Sequence, residues 1–526
     1  MKKNIFKYVL VGMSGLLLTT ACSDEQLDTN PTTAVSGTTI TSSNDNAMIG
    51  LNGIYRSMYT SGWSTTGNTH QCFGISAYSM TADCMGEDFI QKAAGSGWFW
   101  YDTTYDVKDA FTSSAWRPYD LWFAFYQWIS NANYLISMDA DDMSDIDRMY
   151  ILGQAYAIRA YSYFMIAQWF ARTYKGHESD PCGPIYTEPT VAGTQGKPRA
   201  TVQEVYKQIN EDIVKAVSYL KQSLNTTLEK DKSFITYPVA LGLQARIALT
   251  QEDWATAAKA AEEVINSGSY SIQPVNGDDF KADKSNFINS VSFANVMWGA
   301  NIIPDQSGMY GSLYAHMDAV AAMYAGYDRS PKSINSDTYE LMGTKDTRRA
   351  WWNPTDEGNA YQQEKFHFST LKTYLGDYVW MRIEEMYLIA AEAECMQGHD
   401  AVAQGYLNTL VQTRDVNYDC SNRTGTDMGA LTTDRTGSLR EAIIDQRRIE
   451  LWGEYGRIYD IRRLRQGFKR TEETGWPLNA LLSTRPTEDP ECYMWVMTIP
   501  QAEFDGNKNM DSKTDQNPVG DYPDED

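Results

Sequence analysis

Two stretches of the chain combine aromatic rings with small and polar residues in a way that suits ligand binding. The first runs from Gly95 to Tyr105 as GSGWFWYDTTY and contains Trp98, Trp100 and Tyr101. Flat indole and phenol rings can cover the apolar C–H face of a sugar, while nearby hydroxyl, amide and carboxylate groups hydrogen-bond to its hydroxyls. The pattern predicts an exposed saccharide platform. The alternative for each ring is that it packs its loop against the helices.

A second aromatic stretch extends from Trp298 to Trp352. Its candidate ligand-binding rings are Tyr310, Tyr314, Tyr324, Tyr327 and Trp351. Hydrogen-bonding groups in the same region come from Asn295, Asn301, Asp318 and Asp328. The same sugar-binding chemistry is therefore predicted here.

The chain lacks the short motifs of common catalytic sites. It contains no GxSxG, no HExxH, no phosphate-binding GxxxxGK[ST] and no GxGxxG after a strand. We therefore predict no catalytic residue and no cofactor. No metal site is assigned, and weak Ca²⁺ binding is the alternative to a solvated helix junction for the acidic cluster of Asp139, Asp141, Asp142, Asp145 and Asp147. A surface glycoside hydrolase is the alternative from another functional class, and it would need two carboxylates about 5 to 9.5 Å apart in the aromatic cleft.

Composition excludes two classes of protein. The 526 residues include 45 Lys and Arg against 68 Asp and Glu, a formal charge of −23. This acidic balance argues against nucleic-acid binding, because phosphate neutralisation needs a surplus of Lys and Arg. A mean hydropathy of −0.47 argues against a polytopic membrane protein.

The N-terminus has the pattern of an export signal. Basic residues precede an apolar run from Tyr8 to Leu18, which is too short to span about 30 Å of hydrocarbon. Small residues then lead to Cys22, as in a bacterial lipobox. We predict a signal peptide over residues 1–21, lipidation of Cys22, and a lipid anchor with a flexible tether over residues 22–44. An ordinary signal peptide with an incidental cysteine is the alternative.

Six further cysteines follow Cys22: Cys72, Cys84, Cys182, Cys395, Cys420 and Cys492. An even number permits disulfides outside the cytoplasm, and the sequence does not determine the pairing. Cys395 lies in an alanine-rich helical segment, where we expect a buried free thiol.

Hydrophobic periodicity predicts an all-α fold. Helices are expected at about 47–60, 120–137, 151–169, 202–224, 238–249, 254–267, 379–397, 401–414 and 439–466, the last with a break near Gly453 to Gly456. Strand-like alternation is scarce.

An internal repeat appears when the chain is aligned with itself at an offset of 146 residues. Ala245, Gln251 and Ala257 then align with Ala391, Gln397 and Ala403. Each copy consists of a helix, a tight turn and a second helix, the unit of tetratricopeptide-like folds. Two similar αα-hairpins in an unrelated helical protein are the alternative.

Three motifs resemble those of SusD/RagB-like lipoproteins. Residues 447–463, RRIELWGEYGRIYDIRR, resemble the family's R-R-x-E-L-x-x-E-G-x-R-x-x-D-L-x-R signature, with Tyr455 interrupting the usual Glu-Gly step. Residues 381–393 resemble the family's R-x-x-E-x-Y-L-x-x-A-E-A helix, and residues 499–518 its I-P-x-x-E…Q-N-P close. The resemblance covers nearly the whole mature chain.

This resemblance implies one SusD-like helical domain over residues 45–526. Repeat-like helices are expected at about 117–267 and 379–466, with binding insertions at about 61–116 and 268–378. It also implies a glycan-binding lipoprotein at the outer-membrane cell surface, which delivers oligosaccharides to a SusC-like TonB-dependent transporter. The residues Ser23-Asp24-Glu25 are similar to export signals of Bacteroidetes surface lipoproteins. A peptide ligand, as in the RagB branch, is the alternative.

The arginine-rich segment at residues 447–463 has a structural and a catalytic interpretation. Its i,i+3 pairs would be Arg447–Glu450, Glu454–Arg457 and Arg457–Asp460. A catalytic pair formed by Glu450 and Glu454 is disfavoured, because surrounding arginines lower carboxylate pKa values and spoil a general acid. We expect this segment to be scaffold.

Overall fold

The fold is described from a computed structural model, in which residues 37–61, 66–106, 110–140, 143–191, 193–320, 324, 330–355 and 358–519 are described. The predicted signal peptide, Cys22 and Tyr327 lie outside these residues. In the described part of the chain, none of the helices is both long and apolar enough to cross a membrane.

Helices dominate the architecture. They are α1 (Gly37–Ile40), α2 (Asn44–Ser57), α3 (Ile75–Cys84), α4 (Trp100–Thr104), α5 (Trp116–Ile136), α6 (Ile146–Phe170), α7 (Val202–Gln222), α8 (Tyr237–Gln251), α9 (Trp254–Asn266), α10 (Leu313–Met317), α11 (Ser336–Glu340), α12 (Ile383–Met396), α13 (Asp400–Val411), α14 (Leu439–Glu450), α15 (Arg457–Leu464) and α16 (Gln501–Gly506). Short 3₁₀ turns occupy Gly277–Phe280, Pro304–Gln306, Thr347–Trp351, Leu478–Ala480 and Tyr493–Trp495. The predicted all-α class is confirmed.

In helix α7 the hydrophobic periodicity of the sequence corresponds to one buried face. Its buried apolar residues Val202, Val205, Ile209, Ile213, Ala216 and Leu220 recur every three or four positions along one face. At its N-terminus, the Thr201 hydroxyl accepts from the Glu204 amide, and the Glu204 carboxylate accepts from the Thr201 amide. This capping box satisfies two otherwise unpaired donors and fixes where the helix begins.

The sheets are small, and one of them corrects a prediction. Antiparallel pairing joins β1 (Phe89–Gln91), β3 (Lys332–Ile334), β5 (Gln362–Gln363) and β4 (Trp352–Asn353) in that spatial order, and separately joins β2 (Val296–Ala300) to β6 (Tyr378–Arg382). The helix predicted from 379 begins instead at Ile383. Residues Val379 and Trp380 favour a strand, and β2 offers them a partner edge that periodicity does not reveal.

The predicted repeat is present as two packed helical hairpins. Helices α8 and α9 form one, α12 and α13 form the other, and α9 packs against α12. The turns match at the offset of 146, because Glu252 (φ 60°) and Gly398 (φ 80°) both adopt the left-handed conformation. Ala245 and its counterpart Ala391 are both fully buried. The small side chains therefore allow the close helix crossing expected of a tetratricopeptide-like unit.

Part of the predicted tether is structured. Helix α2 begins at Asn44, capped by the Ser43 hydroxyl, which accepts from the Asn46 amide at 3.2 Å. The preceding turn α1 lies against α2 and α5, with Gly37 beside the Tyr134 ring. Residues 37–44 therefore belong to the folded body rather than to a flexible tether.

A buried ionic network joins the repeat helices to the second insertion. Its centre is Glu450 at the end of α14, whose Oε1 accepts from Arg382 at 2.7 Å and Arg414 at 2.9 Å. The other oxygen, Oε2, accepts from Arg348 at 3.0 Å. Each of these four side chains is at most 1% exposed. One carboxylate therefore fixes a strand end, a loop and an insertion relative to one another.

Glu454 extends this network, and we call the whole set the Glu450 network: Glu450, Glu454, Arg348, Arg382, Arg414 and Lys365. Glu454 accepts from Arg382 at 2.6 Å and from Lys365 at 2.5 Å. Burial opposes ionisation of Glu450, but its three guanidinium partners outweigh burial and hold the pKa of Glu450 well below its usual value. Both carboxylates are locked as anions, which confirms the scaffold interpretation.

The individual pairs predicted within residues 447–463 are wrong. Arg447 pairs with Asp460 at 2.8 Å, and Arg457 pairs with Glu87 at 3.0 Å and Asp88 at 3.1 Å. The turn between α14 and α15 accounts for the missing Glu454–Arg457 pair, whereas Arg447 and Arg457 lie in helices and each bind carboxylates outside their own helix. Arg463 does form an i,i+3 pair with Asp460 at 2.8 Å, so the arginines of this segment both stabilise their own helix and hold distant segments together.

All six cysteines of the described chain are buried, and no disulfide joins any two of them. Burial raises the pKa of the Cys84, Cys182, Cys395 and Cys492 thiols to about 12 and that of Cys420 to about 11. The expected free thiol at Cys395 is confirmed. The thiols are held in the unreactive protonated form.

We expect Glu450→Gln to reduce the free energy of unfolding by about 3–5 kcal/mol, because it leaves three guanidinium groups without their buried countercharge. Urea unfolding followed by tryptophan fluorescence measures the change. Asp278→Asn is the matched control, since it removes a carboxylate from the exposed pair that Asp278 forms with Lys281. An equally small effect of both substitutions would show that the Glu450 network contributes little to stability.

Candidate functional site

The two predicted aromatic stretches meet in the folded chain. The Trp98 ring from the first stretch stacks on the Tyr324 ring from the second, with centroids 4.7 Å apart and planes 26° apart. His70 packs against both rings, 5.0 Å from Trp98 at an angle of 8° and 5.7 Å from Tyr324 at an angle of 23°. Tyr310 packs edge-on against Tyr324 at 5.1 Å. We call His70, Trp98, Tyr310 and Tyr324 the aromatic platform.

The aromatic platform is partly open to solvent. Tyr310 is 57% exposed, Trp98 and His70 are half-buried, and Tyr324 is 5% exposed. An exposed tyrosine next to a half-buried indole can stack against the apolar face of a sugar, because Tyr310 and Trp98 both keep ring surface open to solvent. The hydrogen bond between His70 Nδ1 and the Tyr324 hydroxyl holds the rings in register.

A second layer of rings supports the platform from below. His316 stacks on Phe73 at 5.6 Å, meets Phe99 edge-on at 5.0 Å, and meets Trp98 edge-on at 6.1 Å. Burial lowers the pKa of His316 to about 3, so this imidazole is neutral. Its Nε2 donates to the backbone carbonyl of His70 at 2.6 Å. The floor is therefore uncharged and tied directly to the platform above it.

The first loop is held by backbone geometry and a buried arginine. Phe99 takes a left-handed conformation (φ 60°), and its amide donates to Gln71 Oε1 at 2.6 Å. Arg117 at the start of α5 donates to the Gln71 carbonyl at 3.0 Å and to both oxygens of Asp102 at 2.8 and 3.0 Å. The Arg117 guanidinium group thus holds both Gln71, next to His70, and Asp102, four residues after Trp98.

The second loop contacts the first insertion (residues 61–116) through a glycine. Gly311 lies against Ser61 and the Thr69 carbonyl so closely that a Cβ atom there would clash with both. This close approach brings the neighbouring Tyr310 beside His70, with ring centroids 5.8 Å apart. The convergence of the two insertions therefore depends on the absence of a side chain at Gly311.

His367 anchors the second loop from the protein interior. Its Nδ1 lies 3.0 Å from Asp318, and its Nε2 lies 3.1 Å from Glu364. Asp318 follows α10 and also accepts from the Phe368 amide at 2.8 Å. Burial lowers the pKa of His367, but the hydrogen bonds to Asp318 and Glu364 outweigh burial and raise the pKa to about 9. A protonated imidazole therefore bridges two carboxylates beneath the loop.

Several predicted site residues lie elsewhere. Tyr314 is 1% exposed, and its hydroxyl lies 2.6 Å from the Asp377 carbonyl, while Trp351 is fully buried beside Phe280 and Lys365. Neither ring has a face open to a ligand, because each fills the core where the insertion meets the helices. Among the predicted polar groups, Asn295 binds Glu384 and Asp318 binds His367, so both are engaged internally.

The remaining predicted rings of the first loop point away from the platform. Trp100 packs against a small cluster formed by Ile90, Trp476 and Ala480. Tyr101, on the same short helix α4, is 41% exposed. The ring contacts that join His70, Trp98, Tyr310 and Tyr324 involve neither Trp100 nor Tyr101, so Trp98 is the contribution of residues 95–105 to the aromatic platform.

His70 is the platform residue that sequence reasoning missed. It lies in a polar loop, 28 residues before Trp98 and 254 before Tyr324. No spacing rule connects these positions, and a lone histidine carries no pattern of its own. Only the stacking across two insertions identifies its role.

Two models of known protein families match parts of this chain. The family described as "Starch-binding associating with outer membrane" matches residues 75–249, and the SusD family matches residues 359–519. The chain belongs to the SusD/RagB family. The first matched region contains α3–α7 and most of α8, and the second contains the Glu450 network except Arg348, together with the C-terminal motif.

Relatives of this SusD/RagB protein share its length and fold. SusD-like protein P2 of Formosa agariphila is 24% identical over 431 residues, covering 74% of this chain and 78% of the relative. A SusD-like carbohydrate binding protein from Bacteroides vulgatus has a TM-score of 0.70 and 24% identity, with 89% of this chain and 97% of that chain covered. Surface glycan-binding protein A from Bacteroides uniformis has a TM-score of 0.65 and 18% identity, with 91% and 100% covered.

We expect His367→Gln to destabilise the protein most at neutral and mildly acidic pH. The folded pKa of about 9 lies above the unfolded value of about 6.5, so protonated His367 contributes full stability below pH 6.5. That contribution is lost as pH rises through 9. Urea unfolding of wild type and variant from pH 6 to 9.5 measures it. A stability difference that stays constant across this range would contradict a protonated His367.

Proposed function

We propose that this protein is a non-catalytic cell-surface receptor that binds oligosaccharides on the aromatic platform. The observation that carries the proposal is the stack of His70, Trp98 and Tyr324, completed by the exposed Tyr310. Two insertions more than 200 residues apart supply these rings, and neither insertion needs an exposed stack to complete the helical core. Stacked rings at a surface are suited to the apolar face of a neutral sugar.

The relatives support a saccharide ligand. One matching family is described as starch-binding, and two structural neighbours carry the names carbohydrate binding protein and surface glycan-binding protein. The platform chemistry and these names agree on ligand class. A peptide ligand is the competing assignment within the same family, and the test below separates the two.

Capture without bond cleavage fits the electrostatics of the molecule. Glu450 and Glu454, the carboxylate pair of the signature segment, are buried in contact with Arg348, Arg382, Arg414 and Lys365. These cations hold the pKa of both carboxylates below the usual value, although burial alone would raise it. A carboxyl group held as an anion cannot donate a proton to a glycosidic oxygen.

The sequence of the N-terminus supports a location at the outer membrane. We propose that residues 1–21 are removed as a signal peptide and that acylated Cys22 anchors the protein in the outer membrane. Several acyl chains on one residue give stable anchoring. The anchor keeps the aromatic platform beside a SusC-like TonB-dependent transporter, which raises the effective concentration of captured oligosaccharide at the transporter entrance.

We expect Trp98→Ala to weaken oligosaccharide binding by about 1–3 kcal/mol, because it removes the central ring of the platform while leaving the helical core intact. A neutral glycan array followed by calorimetry with the best-bound oligosaccharide measures the affinity, and thermal unfolding checks the fold. Trp100→Ala is the matched control, since this ring lies two residues away and packs against a separate cluster. Its affinity should equal that of wild type.

Three results of this experiment would contradict the proposal. Equal loss of affinity in the Trp98 and Trp100 variants would place the site outside the platform. Binding of wild type to a peptide library and to no glycan would replace the ligand class. Release of reducing sugar from a polysaccharide by pure protein would favour a glycoside hydrolase.

We expect Cys22→Ser to abolish incorporation of labelled palmitate and to move the protein out of the outer-membrane fraction, because serine offers no thiol for acylation. Metabolic labelling and membrane fractionation in the native cell measure both effects. Cys395→Ser is the control, since this buried thiol has no role in anchoring. Palmitate labelling that persists in the Cys22 variant would contradict the assigned anchor.

A further inference from the structure

An aromatic groove separate from the platform runs between helix α5 and the C-terminal helix α16. Its volume is about 520 Å³, within the range of about 300–1,000 Å³ that is typical of small-molecule sites. Helix α5 contributes Tyr119, Trp122, Phe123 and Tyr126, and the loop after α6 contributes Tyr186. We call this feature the α5 groove.

The rings of the α5 groove form an ordered wall. Tyr119 and Phe123 stack nearly parallel, with centroids 5.7 Å apart and an angle of 11°. Trp122 and Tyr126 lie 4.7 Å apart, and Tyr186 meets Tyr126 edge-on at 6.1 Å. Tyr119, Phe123 and Tyr126 are half-buried. They follow helical spacing on a face that remains open to the groove.

Core packing accounts for only part of this wall. Trp122 belongs to the buried core and Tyr126 packs against it, while Leu121, Phe125 and Trp128 of the same helix are fully buried. Tyr119 and Phe123 form an additional half-buried stripe one turn apart. A helix that needed only one buried face would place polar residues on the other, so the second stripe calls for a contact outside the core.

The opposite wall supplies fixed polar groups. Glu503 on α16 accepts from Trp122 Nε1 at 3.0 Å and from Asn507 Nδ2 at 2.8 Å. Asn507 also donates to the Lys197 carbonyl at 2.7 Å. Around the rim, Gln127, Asn131 and Thr190 expose uncharged amide and hydroxyl groups. The carboxylate disfavours an anionic ligand, whereas the amides and hydroxyls match the hydroxyls of a neutral one.

We propose that the α5 groove is a second saccharide-binding site, which takes a neutral oligosaccharide independently of the aromatic platform. Stacked Tyr119 and Phe123 would contact the apolar face of one sugar ring, and Glu503 with the rim amides of Gln127 and Asn131 would contact its hydroxyls. An extended peptide fits less well, because the helices and the loop that line the groove offer no unpaired strand edge for main-chain pairing.

Helix geometry separates the two sites. Arg117 on α5 donates to the Gln71 carbonyl beneath the platform, whereas Tyr119 follows two residues later and lines the groove. Two residues correspond to about 200° of rotation in a helix with 3.6 residues per turn. The platform and the groove therefore use different sides of the first turns of α5. Two such sites would bind one long polysaccharide more tightly than either alone.

The test uses a microarray of neutral starch, xylan, mannan, galactan and fructan oligosaccharides, with a peptide library printed beside it. The mature chain is compared with a platform variant (Trp98→Ala with Tyr310→Ala), a groove variant (Tyr119→Ala with Phe123→Ala) and their combination. Tyr387→Ala with Tyr406→Ala is the matched control, because these rings form an edge-on pair on another hairpin. If the alanine groove variant unfolds, a second groove variant, Tyr119→Leu with Phe123→Leu, takes its place, because leucine removes the rings but keeps much of the apolar volume.

We expect the platform variant to retain binding to at least one oligosaccharide and the combination to lose that binding at least tenfold, with the control unchanged. Residual binding that the groove substitutions do not weaken would overturn the second site. A platform variant that binds nothing while wild type binds would also overturn the second site, but it would leave the proposed function intact. Groove-dependent binding to peptides alone would also overturn it, and an array to which wild type does not bind would contradict both sites.

Discussion

The fold depends on a buried carboxylate that must be matched by several guanidinium groups. Glu450 takes three arginines from three different parts of the chain, and all four side chains are excluded from water. Any packing that separated these parts would leave an unpaired buried charge, which is strongly destabilising. The constraint selects one arrangement of the insertion against the repeat helices, whereas apolar contacts alone would tolerate several.

The same constraint reaches the aromatic platform through the second insertion. Lys365 donates to Glu454 and to the carbonyl oxygens of Glu450 and Trp452, and two residues later His367 binds Asp318 behind the platform loop. Asp318 directly follows α10, and Gly311, which contacts Ser61 and Thr69 of the first insertion, lies two residues before the start of that helix. A surface site built from two loops acquires a fixed shape because one of them is tied to the ionic core.

Local periodicity predicted most of the helices. The elements that it did not predict form by pairing with segments distant in the chain. Helix α7 and the break before Arg457 follow from side-chain spacing and glycine positions, since both are local properties. Strand β6 and the arginine partners depend on segments far away in the chain. The site shows the same division, because composition indicated the two aromatic stretches but did not distinguish the exposed Tyr310 from the buried Trp351.

The central claim is that a sugar ring lies against the Trp98 indole at the junction of the two insertions. A crystal structure of the mature protein with a bound neutral oligosaccharide tests it most directly. Density for a pyranose or furanose ring stacked on Trp98, within contact distance of Tyr310, is the predicted result. Oligosaccharide density found only at other surfaces, with none in contact with Trp98 or Tyr310, would contradict the account.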